Sequence, residues 1–286
     1  MSDASRKIPF TKMQGVGNDF ILVEADNVGE VDWSEFAIRT CDRKFGPGAD
    51  GLLVLDHCDR ADAFMRMYNP DGSPDVCGNG LRCISRYMWD HKGFGESGKP
   101  VDLTIETFGG VVDASMKPQV TGVPLITVNM GPPKFDPADI PMAVDVDRVI
   151  DYPIEIDERV FELTTLSTGS AHSVIFVDEL PTDQAFLRWS PLLERHPLFP
   201  ERTSIMWARV IEHGTIELRI WERGVGETWG CGTGACAAGI AAILKGFADE
   251  RVTVRSRGGE LVICWREGEG VLMTGPAEYV YDGFLY

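Results

Sequence analysis

The sequence lacks any apolar run long enough to cross a bilayer, and it is poor in basic residues. Lys and Arg total 27 against 44 Asp and Glu, which gives a formal net charge of −17. A chain this acidic is repelled by nucleic acid and by anionic membrane surfaces, and a spanning helix needs about 20 apolar residues. We therefore expect neither nucleic acid nor a membrane among its partners.

The spacing of a metal or redox centre is also missing. The seven cysteines contain no C-x-x-C pair, and no zinc-ligand spacing links the five histidines, His57, His91, His172, His196 and His213. An odd number of scattered cysteines does not suggest a disulfide framework. The N-terminal residues 1–7 are polar and lack the apolar stretch of a signal peptide. We expect free thiols, no metal and a cytoplasmic location.

Two short glycine-rich stretches almost repeat each other, nearly half the chain apart. Each begins with a cysteine, and they read Cys77-Gly78-Asn79-Gly80 and Cys231-Gly232-Thr233-Gly234. We expect each glycine-rich stretch to form a turn, and a helical pattern follows each one, at residues 81–89 and 235–244. A thiol at a helix N-terminus meets unpaired backbone amides and the positive end of the helix dipole, which lower its pKa and favour a bound carboxylate.

Two thiols in matched settings indicate a pair of proton carriers, one for each face of a substrate carbon. We therefore interpret the chain as an isomerase that inverts a stereocentre. Cys83 and Cys236, which follow within the two helices, are interpreted instead as small buried residues of the core.

Strand-like and helical segments alternate in both halves of the chain, with a break in the pattern at residues 127–133. The sequence predicts an α+β fold of two similar, pseudo-symmetric domains with the active site in the cleft between them. The N-terminal half comprises residues 1–127 with the C-terminal strand 275–286 and carries Cys77. The C-terminal half comprises residues 128–274 and carries Cys231.

Four motifs in collinear order resemble those of the diaminopimelate epimerase family. They are residues 13–20 (MQGVGNDF), residues 48–51 (GADG), residues 69–73 (NPDGS) before the first cysteine stretch, and residues 222–228 (ERGVGET) before the second. The resemblance implies two domains, each a β-barrel-like sheet around a central helix. It also implies catalysis without pyridoxal phosphate, metal or any other cofactor.

The resemblance assigns roles to particular residues. Cys77 and Cys231 are the expected catalytic thiols, with His172 and Glu222 beside the reacting centre. The residues expected to bind the substrate are Asn18, Asn69, Gly78, Asn79, Ser170, Ser204, Arg223, Gly232 and Thr233. The implied activity interconverts LL- and meso-2,6-diaminopimelate for lysine and peptidoglycan precursor biosynthesis. The expected partner is a small amino-acid substrate, with a homodimer as a possible assembly.

Two departures from the family pattern leave the substrate open. Many members have asparagine where this chain has Ser170 and Ser204, and those asparagines hold the distal end of diaminopimelate. Serine offers one hydroxyl in place of an amide that both donates and accepts. One alternative is therefore a cofactor-independent racemase or epimerase of a different amino acid. An alternative of another class is a non-catalytic ligand-binding or thiol redox-sensing protein.

Overall fold

A computed structural model describes residues 7–95, 99–119 and 123–286. Residues 1–6, part of the polar segment that contributed to the predicted location, lie outside the described residues. The chain divides into two compact units. The first comprises the residues up to Asn129 together with Thr274–Tyr286, and the second comprises Met130–Met273.

Strands dominate both units. The elements before residue 130 are β1 (Ile8–Gly15), β2 (Asn18–Glu24), α1 (Ala25–Val28), α2 (Trp33–Cys41), β3 (Gly51–Asp56), β4 (Ala63–Tyr68), β5 (Pro74–Asp75), α3 (Gly78–His91), β6 (Val101–Thr107), β7 (Gly110–Lys117) and β8 (Leu125–Asn129). Those that follow are β9 (Val149–Ile156), β10 (Arg159–Ser167), β11 (Ala171–Phe176), α4 (Asp183–Glu194), β12 (Ser204–Glu212), β13 (Thr215–Glu222), β14 (Gly226–Thr228), α5 (Gly232–Leu244), β15 (Arg251–Ser256), β16 (Gly259–Cys264), β17 (Leu272–Pro276) and β18 (Glu278–Leu285).

In the first unit a mixed sheet surrounds α3. Strand β1 pairs antiparallel with β2 and β18, β2 pairs parallel with β3, and β3 pairs antiparallel with β4. Strand β4 pairs parallel with β6, and β6, β7 and β8 continue as an antiparallel meander. Helix α3 contacts strands from both ends of this series, β1 and β2 as well as β7 and β8, so the sheet curls around it.

In the second unit a second mixed sheet surrounds α5. Strand β10 pairs antiparallel with β9 and β11, β11 pairs parallel with β12, and β12 pairs antiparallel with β13. Strand β13 pairs parallel with β15, which pairs antiparallel with β16. Helix α5 contacts β10, β11, β12, β13, β15 and β16.

The two sheets share one order of pairings: antiparallel, parallel, antiparallel, parallel, antiparallel. In each unit the central helix, α3 or α5, lies in the connection between the second pair of parallel strands, β4 and β6 in one and β13 and β15 in the other. The predicted α+β fold of two similar sheets, each around a central helix, is confirmed.

Helix α5 is built for close approach to its sheet. Its sequence, GTGACAAGIAAIL, is almost free of large side chains, and nearly every residue up to Ala242 is buried. A Cβ at Gly239 would lie 2.9 Å from the Cβ of Ile263 in β16, so only glycine permits this spacing. A helix that is apolar all round is typical of a core element enclosed on every side.

The glycine stretches are not turns that precede the helices, as the sequence predicted, but their first turns. Helix α3 begins at Gly78 and α5 at Gly232. Side chains from neighbouring strands pack directly against that turn. A Cβ at Gly80 would lie 2.8 Å from Leu53 Cδ2, and one at Gly234 would lie 2.6 Å from Met206 Sδ.

Among the residues that the structure describes, no helix combines the length and the apolar character needed to cross a membrane.

Candidate active site

The two cysteines occupy the same position in their units, and their backbones adopt the same conformation. Cys77 is the N-cap residue of α3 with φ −129° and ψ 118°, and Cys231 is the N-cap residue of α5 with φ −128° and ψ 114°. The carbonyl of each N-cap accepts the first intrahelical hydrogen bond, from Leu81 N and Ala235 N, both at 2.9 Å. The amides of the first helical turn therefore surround each thiol.

A chain of amide groups faces the Cys77 thiol. The thiol donates to Asn18 Oδ1 at 3.6 Å, and Asn79 Nδ2 donates to the same oxygen at 3.1 Å. Arg82, which is fully buried, donates from Nη2 to Asn79 Oδ1 at 2.7 Å. Asn18 Nδ2 in turn donates to Asp50 Oδ2 at 2.9 Å. All the donors point in one direction, from the guanidinium to the carboxylate, which fixes the orientation of both amides.

Asn69, expected to bind substrate, bonds within its own turn. Its Nδ2 donates to Ser73 Oγ at 3.1 Å and to Asp75 Oδ2 at 3.3 Å, and its backbone amide donates to the Ser73 carbonyl at 2.8 Å. These bonds hold the turn that connects β4 to β5 and leads to Cys77.

The Cys231 thiol lies among polar groups of the second unit. Its sulfur accepts from the backbone amide of Gly234 at 3.3 Å and lies 3.5 Å from Thr233 Oγ1. The Glu222 carboxylate interacts with this thiol by charge and by a hydrogen bond. Thr228 donates to Glu222 Oε1 at 2.5 Å, across the β13–β14 turn.

Burial reverses the expected effect of the helix N-termini on the thiols. Desolvation raises the pKa of Cys77 to about 11, although the amides of Gly80 and Asn79 act to lower it. Desolvation, followed by the charge of Glu222, raises the pKa of Cys231 well above 9.0. The lowered thiol pKa predicted from the sequence is therefore wrong for this state of the protein, and both cysteines are protonated at neutral pH.

His172 lies in β11 and is almost fully buried, with 1% of its surface exposed. Burial, and then the charge of Arg223, lower the pKa of His172 to about 3, so the imidazole is neutral at pH 7. Its Nε2 lies 3.1 Å from Ser170 Oγ, and its buried Nδ1 has no hydrogen-bond partner among the described residues. A neutral imidazole with one unused nitrogen can still bind a ligand group.

Ser204 supports the turn that carries Arg223. Its Oγ accepts a hydrogen bond from the Arg223 backbone amide at 3.1 Å, and the Arg223 guanidinium donates from Nη1 to the Glu201 carbonyl at 3.1 Å. Ser204 also pairs with His172 across the parallel strands β11 and β12. The predicted residues His172, Ser170, Ser204 and Arg223 thus lie in one connected group.

Sequence reasoning missed three residues that hold this machinery, namely Arg82, Asp50 and Glu194. Asp50 lies within the motif at residues 48–51 and Arg82 within the helical pattern at residues 81–89, but neither pattern showed which amides these residues would bond. Glu194 is the last residue of an ordinary amphipathic helix, α4. No sequence signal distinguishes it from a solvent-exposed glutamate.

The part of the chain that the structure describes contains no group of three or more His, Cys, Asp or Glu side chains arranged to hold a metal ion.

The fold and the paired capping cysteines define an isomerase of the epimerase and racemase class. The model of the diaminopimelate epimerase family matches residues 10–135 and 164–280. The chain belongs to the diaminopimelate epimerase family.

Relatives support this assignment along the whole chain. The chain is 42% identical to the diaminopimelate epimerase of Pelotomaculum thermopropionicum over 96% of this chain and 97% of that protein. It is 40% identical to the diaminopimelate epimerase of Synechococcus elongatus over 97% of this chain and 98% of that protein.

Solved structures share the fold at low identity. A hydroxyproline epimerase from Agrobacterium vitis matches with a TM-score of 0.73 and 13% identity, over 99% of this chain and 93% of that chain. A PhzF-family phenazine biosynthesis protein of Bacillus anthracis matches with a TM-score of 0.69 and 17% identity, over 98% of this chain and 99% of that chain.

Proposed function

We propose that this enzyme interconverts LL- and meso-2,6-diaminopimelate, in lysine and peptidoglycan precursor biosynthesis, by proton transfer between the substrate α-carbon and the cysteines Cys77 and Cys231. The observation that carries the proposal is the equivalence of the two thiols. They cap corresponding helices of a duplicated topology with φ and ψ values that agree within a few degrees. An inversion needs this symmetry, because its forward and reverse directions differ only in which thiol begins as base.

The proposed step balances as follows. One cysteine, as thiolate, forms an S–H bond with the α-proton while the C–H bond breaks, which leaves a carbanion conjugated with the substrate carboxylate. The other cysteine donates its S–H proton to the opposite face of the carbon and becomes the thiolate. No electrons are gained or lost overall, and the enzyme ends with the thiol and the thiolate exchanged.

The amides of the two first helical turns are the proposed binding site for the α-carboxylate. Gly78 and Asn79 supply them in α3, and Gly232 and Thr233 supply them in α5. The first amides of a helix have no intrahelical acceptor, and they carry the positive end of the helix dipole. Donors placed there stabilise the negative charge that develops on the carboxylate as the proton leaves.

Binding must also generate a thiolate, since both thiols are protonated in the free enzyme, and the proton that one thiol loses passes to solvent water as the substrate enters. We propose that the substrate ammonium group pairs with Glu222. A positive charge there would offset the carboxylate that favours the protonated form of Cys231. Neutral His172 and the Arg223 guanidinium are the proposed contacts for further polar groups of the substrate, together with Asn18, Asn69, Ser170 and Ser204.

We also propose the corresponding organisation of the whole enzyme. Residues 1–127 and 275–286 form the half that uses Cys77, and residues 128–274 form the half that uses Cys231. All seven cysteines are free, and a thiol mechanism requires a reducing compartment, so we propose a cytoplasmic enzyme. A homodimer is the assembly to test by light scattering.

A second candidate function is racemisation or epimerisation of a different amino acid. Ser170 and Ser204 favour it, because their hydroxyls already bond to His172 Nε2 and to the Arg223 backbone amide. Because these hydroxyls are already bonded, fewer polar groups remain to bind a second α-amino and carboxylate pair at the distal end of a substrate.

One experiment tests both functions. The reduced protein is incubated in deuterated water with LL-diaminopimelate, meso-diaminopimelate and a panel of proteinogenic amino acids, and α-proton exchange and chirality are followed. The leading proposal expects deuterium at the epimerised carbon of diaminopimelate. Exchange of another amino acid without exchange of diaminopimelate would establish the second candidate.

Serine variants test the mechanism. Cys77→Ser and Cys231→Ser should each lower turnover by about 10³-fold or more, because a hydroxyl is far less acidic than a thiol and general acid–base catalysis contributes about 10²–10⁴-fold. Cys264→Ser is the matched control at a partly exposed cysteine, and it should retain wild-type turnover. Wild-type turnover in Cys77→Ser or Cys231→Ser would rule out the two-thiol mechanism.

A further inference from the structure

Glu194 is a buried carboxylate that the proposed chemistry does not use. It is the last residue of α4, and only 2% of its surface is exposed. Burying a carboxylate costs free energy unless hydrogen bonds or charges compensate it. The donors that compensate Glu194 all belong to two segments beside the candidate active site.

The two oxygens of Glu194 accept hydrogen bonds from opposite ends of the turn that carries Glu222 and Arg223. Oε2 accepts from Trp221 Nε1 at 2.8 Å, one residue before this pair, and Oε1 accepts from the Gly224 backbone amide at 3.0 Å, one residue after it. One carboxylate thereby bridges the base of the turn.

A third contact joins the neighbouring segment to the same residue. The Glu194 carbonyl accepts from the Thr203 backbone amide at 3.2 Å, which places the next residue, Ser204, where its Oγ accepts from Arg223 N. The Arg202 guanidinium lies 3.7 Å from Glu194 Oε1 and contributes a positive charge.

The tip of the turn has little packing of its own. Val225 is 74% exposed, and Gly224 adopts a φ of +76°, which favours glycine. The turn closes with a bond from Val225 N to the Glu222 carbonyl at 3.1 Å. Its orientation therefore depends on the bonds at its base, and Glu194 accepts two of them.

We propose that Glu194 is a positioning residue, which holds the Glu222 carboxylate against the Cys231 thiol and the Arg223 guanidinium near His172. The inference rests on the proposed catalytic role of Cys231 and Glu222. Glu194 acts only through the turn and is not itself placed against the substrate.

The chemistry of the site explains why a carboxylate is required. Both partners, an indole N–H and a backbone N–H, can only donate, so both oxygens must accept. Glutamine has the same size but presents an NH₂ group to one of the two donors. One of the two hydrogen bonds is then lost, because the glutamine NH₂ group and an N–H group of the turn face each other as donors. The turn must move to separate these two donors.

The test uses Glu194→Gln, Trp221→Phe and the double variant in the full-length protein. In the double variant the phenylalanine ring has no N–H, so the glutamine NH₂ meets no opposing donor while its oxygen still accepts from Gly224 N. Glu162→Gln, at an exposed glutamate of β10, is the matched control.

The primary readout needs no substrate. The rate at which iodoacetamide alkylates Cys231 is measured from pH 6 to pH 10 by peptide mapping, alongside kcat, KM and thermal unfolding. In Glu194→Gln the displaced Glu222 no longer favours the protonated thiol, so alkylation at Cys231 should become faster at a given pH. We also expect kcat to fall roughly tenfold or more, because small displacements of positioned groups carry large rate penalties.

The proposal is supported if the alkylation profile and kcat of the double variant return part of the way from those of Glu194→Gln to those of the wild type. A Glu194→Gln variant with the alkylation profile and kcat of the wild type, or a double variant that is worse than both single variants, overturns it. If Glu194→Gln does not fold, a double variant that folds supports the proposal, and a double variant that also fails to fold overturns it. Because alkylation is independent of substrate, failure of the diaminopimelate assay would refute the proposed function without affecting this test.

Discussion

The Cys77 thiol donates a hydrogen bond to the Asn18 carboxamide oxygen, 3.6 Å away. The same oxygen accepts from Asn79 Nδ2, while Asn18 Nδ2 donates to Asp50, so the amide cannot rotate without losing bonds at both ends. An acceptor that faces a thiol favours its protonated form. Asn18 therefore helps to keep Cys77 in the form of an acid in the free enzyme.

Asn18→Ala should lower the pKa of Cys77 from its value of about 11. A hydrogen bond is worth about 0.5–1.5 kcal/mol, and one pKa unit corresponds to about 1.4 kcal/mol, so the expected fall is about one unit or less. The measurement is the pH dependence of Cys77 alkylation. Asn27→Ala in α1 is the control, and an unchanged or raised pKa in Asn18→Ala would contradict the assignment.

His172→Asn should weaken the pH dependence of stability in acid. The folded pKa of His172 is about 3, against about 6.5 for an unfolded histidine. Between these values the unfolded chain binds a proton that the folded chain does not, so the free energy of unfolding falls as the pH falls, by about 1.4 kcal/mol per unit. This loss of stability is absent above the pKa of the unfolded chain, and it should disappear in the variant.

Denaturant unfolding of wild type and His172→Asn between pH 4 and pH 6 measures the difference in slope. The control is His213→Asn, which changes a histidine whose side chain is 61% exposed. Equal slopes in the wild type and His172→Asn would show that His172 is not held neutral by the fold.

Gly239→Ala should destabilise the second unit although alanine favours helices. The added Cβ would lie 2.9 Å from Ile263 Cβ, close to the backbone of β16, where neither partner can move freely. Overpacking of this kind costs about 1–3 kcal/mol, and the helix propensity of alanine returns about 1 kcal/mol. The expected result is a lower free energy of unfolding in denaturant titration.

Gly234→Ala in the same helix is the matched comparison. Its Cβ would meet Met206 Sδ and Cε, the flexible end of a long side chain. That end can move aside, so the loss should be smaller than in Gly239→Ala. The reverse ranking would show that the contact between α5 and β16 is looser than described.

The double variant Ser170→Asn, Ser204→Asn should preserve or improve kcat/KM for diaminopimelate. Asparagine restores an amide for the distal end of the substrate and retains an acceptor for the Arg223 backbone amide, which now bonds to Ser204 Oγ at 3.1 Å. Steady-state kinetics of the wild type and the variant on diaminopimelate provide the comparison. If the substrate is a shorter amino acid, the longer side chains should instead lower activity on it by crowding.

The sequence alone determined the family, the topological class and the identity of the two capping cysteines. These follow from local patterns, because a cysteine before a glycine-rich helical start produces an N-cap thiol whatever surrounds it. The helix starts were displaced by three residues: the sequence placed them at Leu81 and Ala235, whereas α3 and α5 begin at Gly78 and Gly232. The glycines that suggested turns lie in those first helical turns, where Leu53 and Met206 from distant strands approach them closely.

Tertiary structure decided the electrostatics of the site. The sequence shows that amides lie beside Cys77 and Cys231, but not that burial outweighs them and raises both pKa values. Desolvation depends on everything that packs around a group, from any part of the chain. The role of Glu194 has the same origin, since its partners Trp221 and Gly224 belong to the β13–β14 hairpin, far from α4 in sequence, and meet it only in the folded second unit.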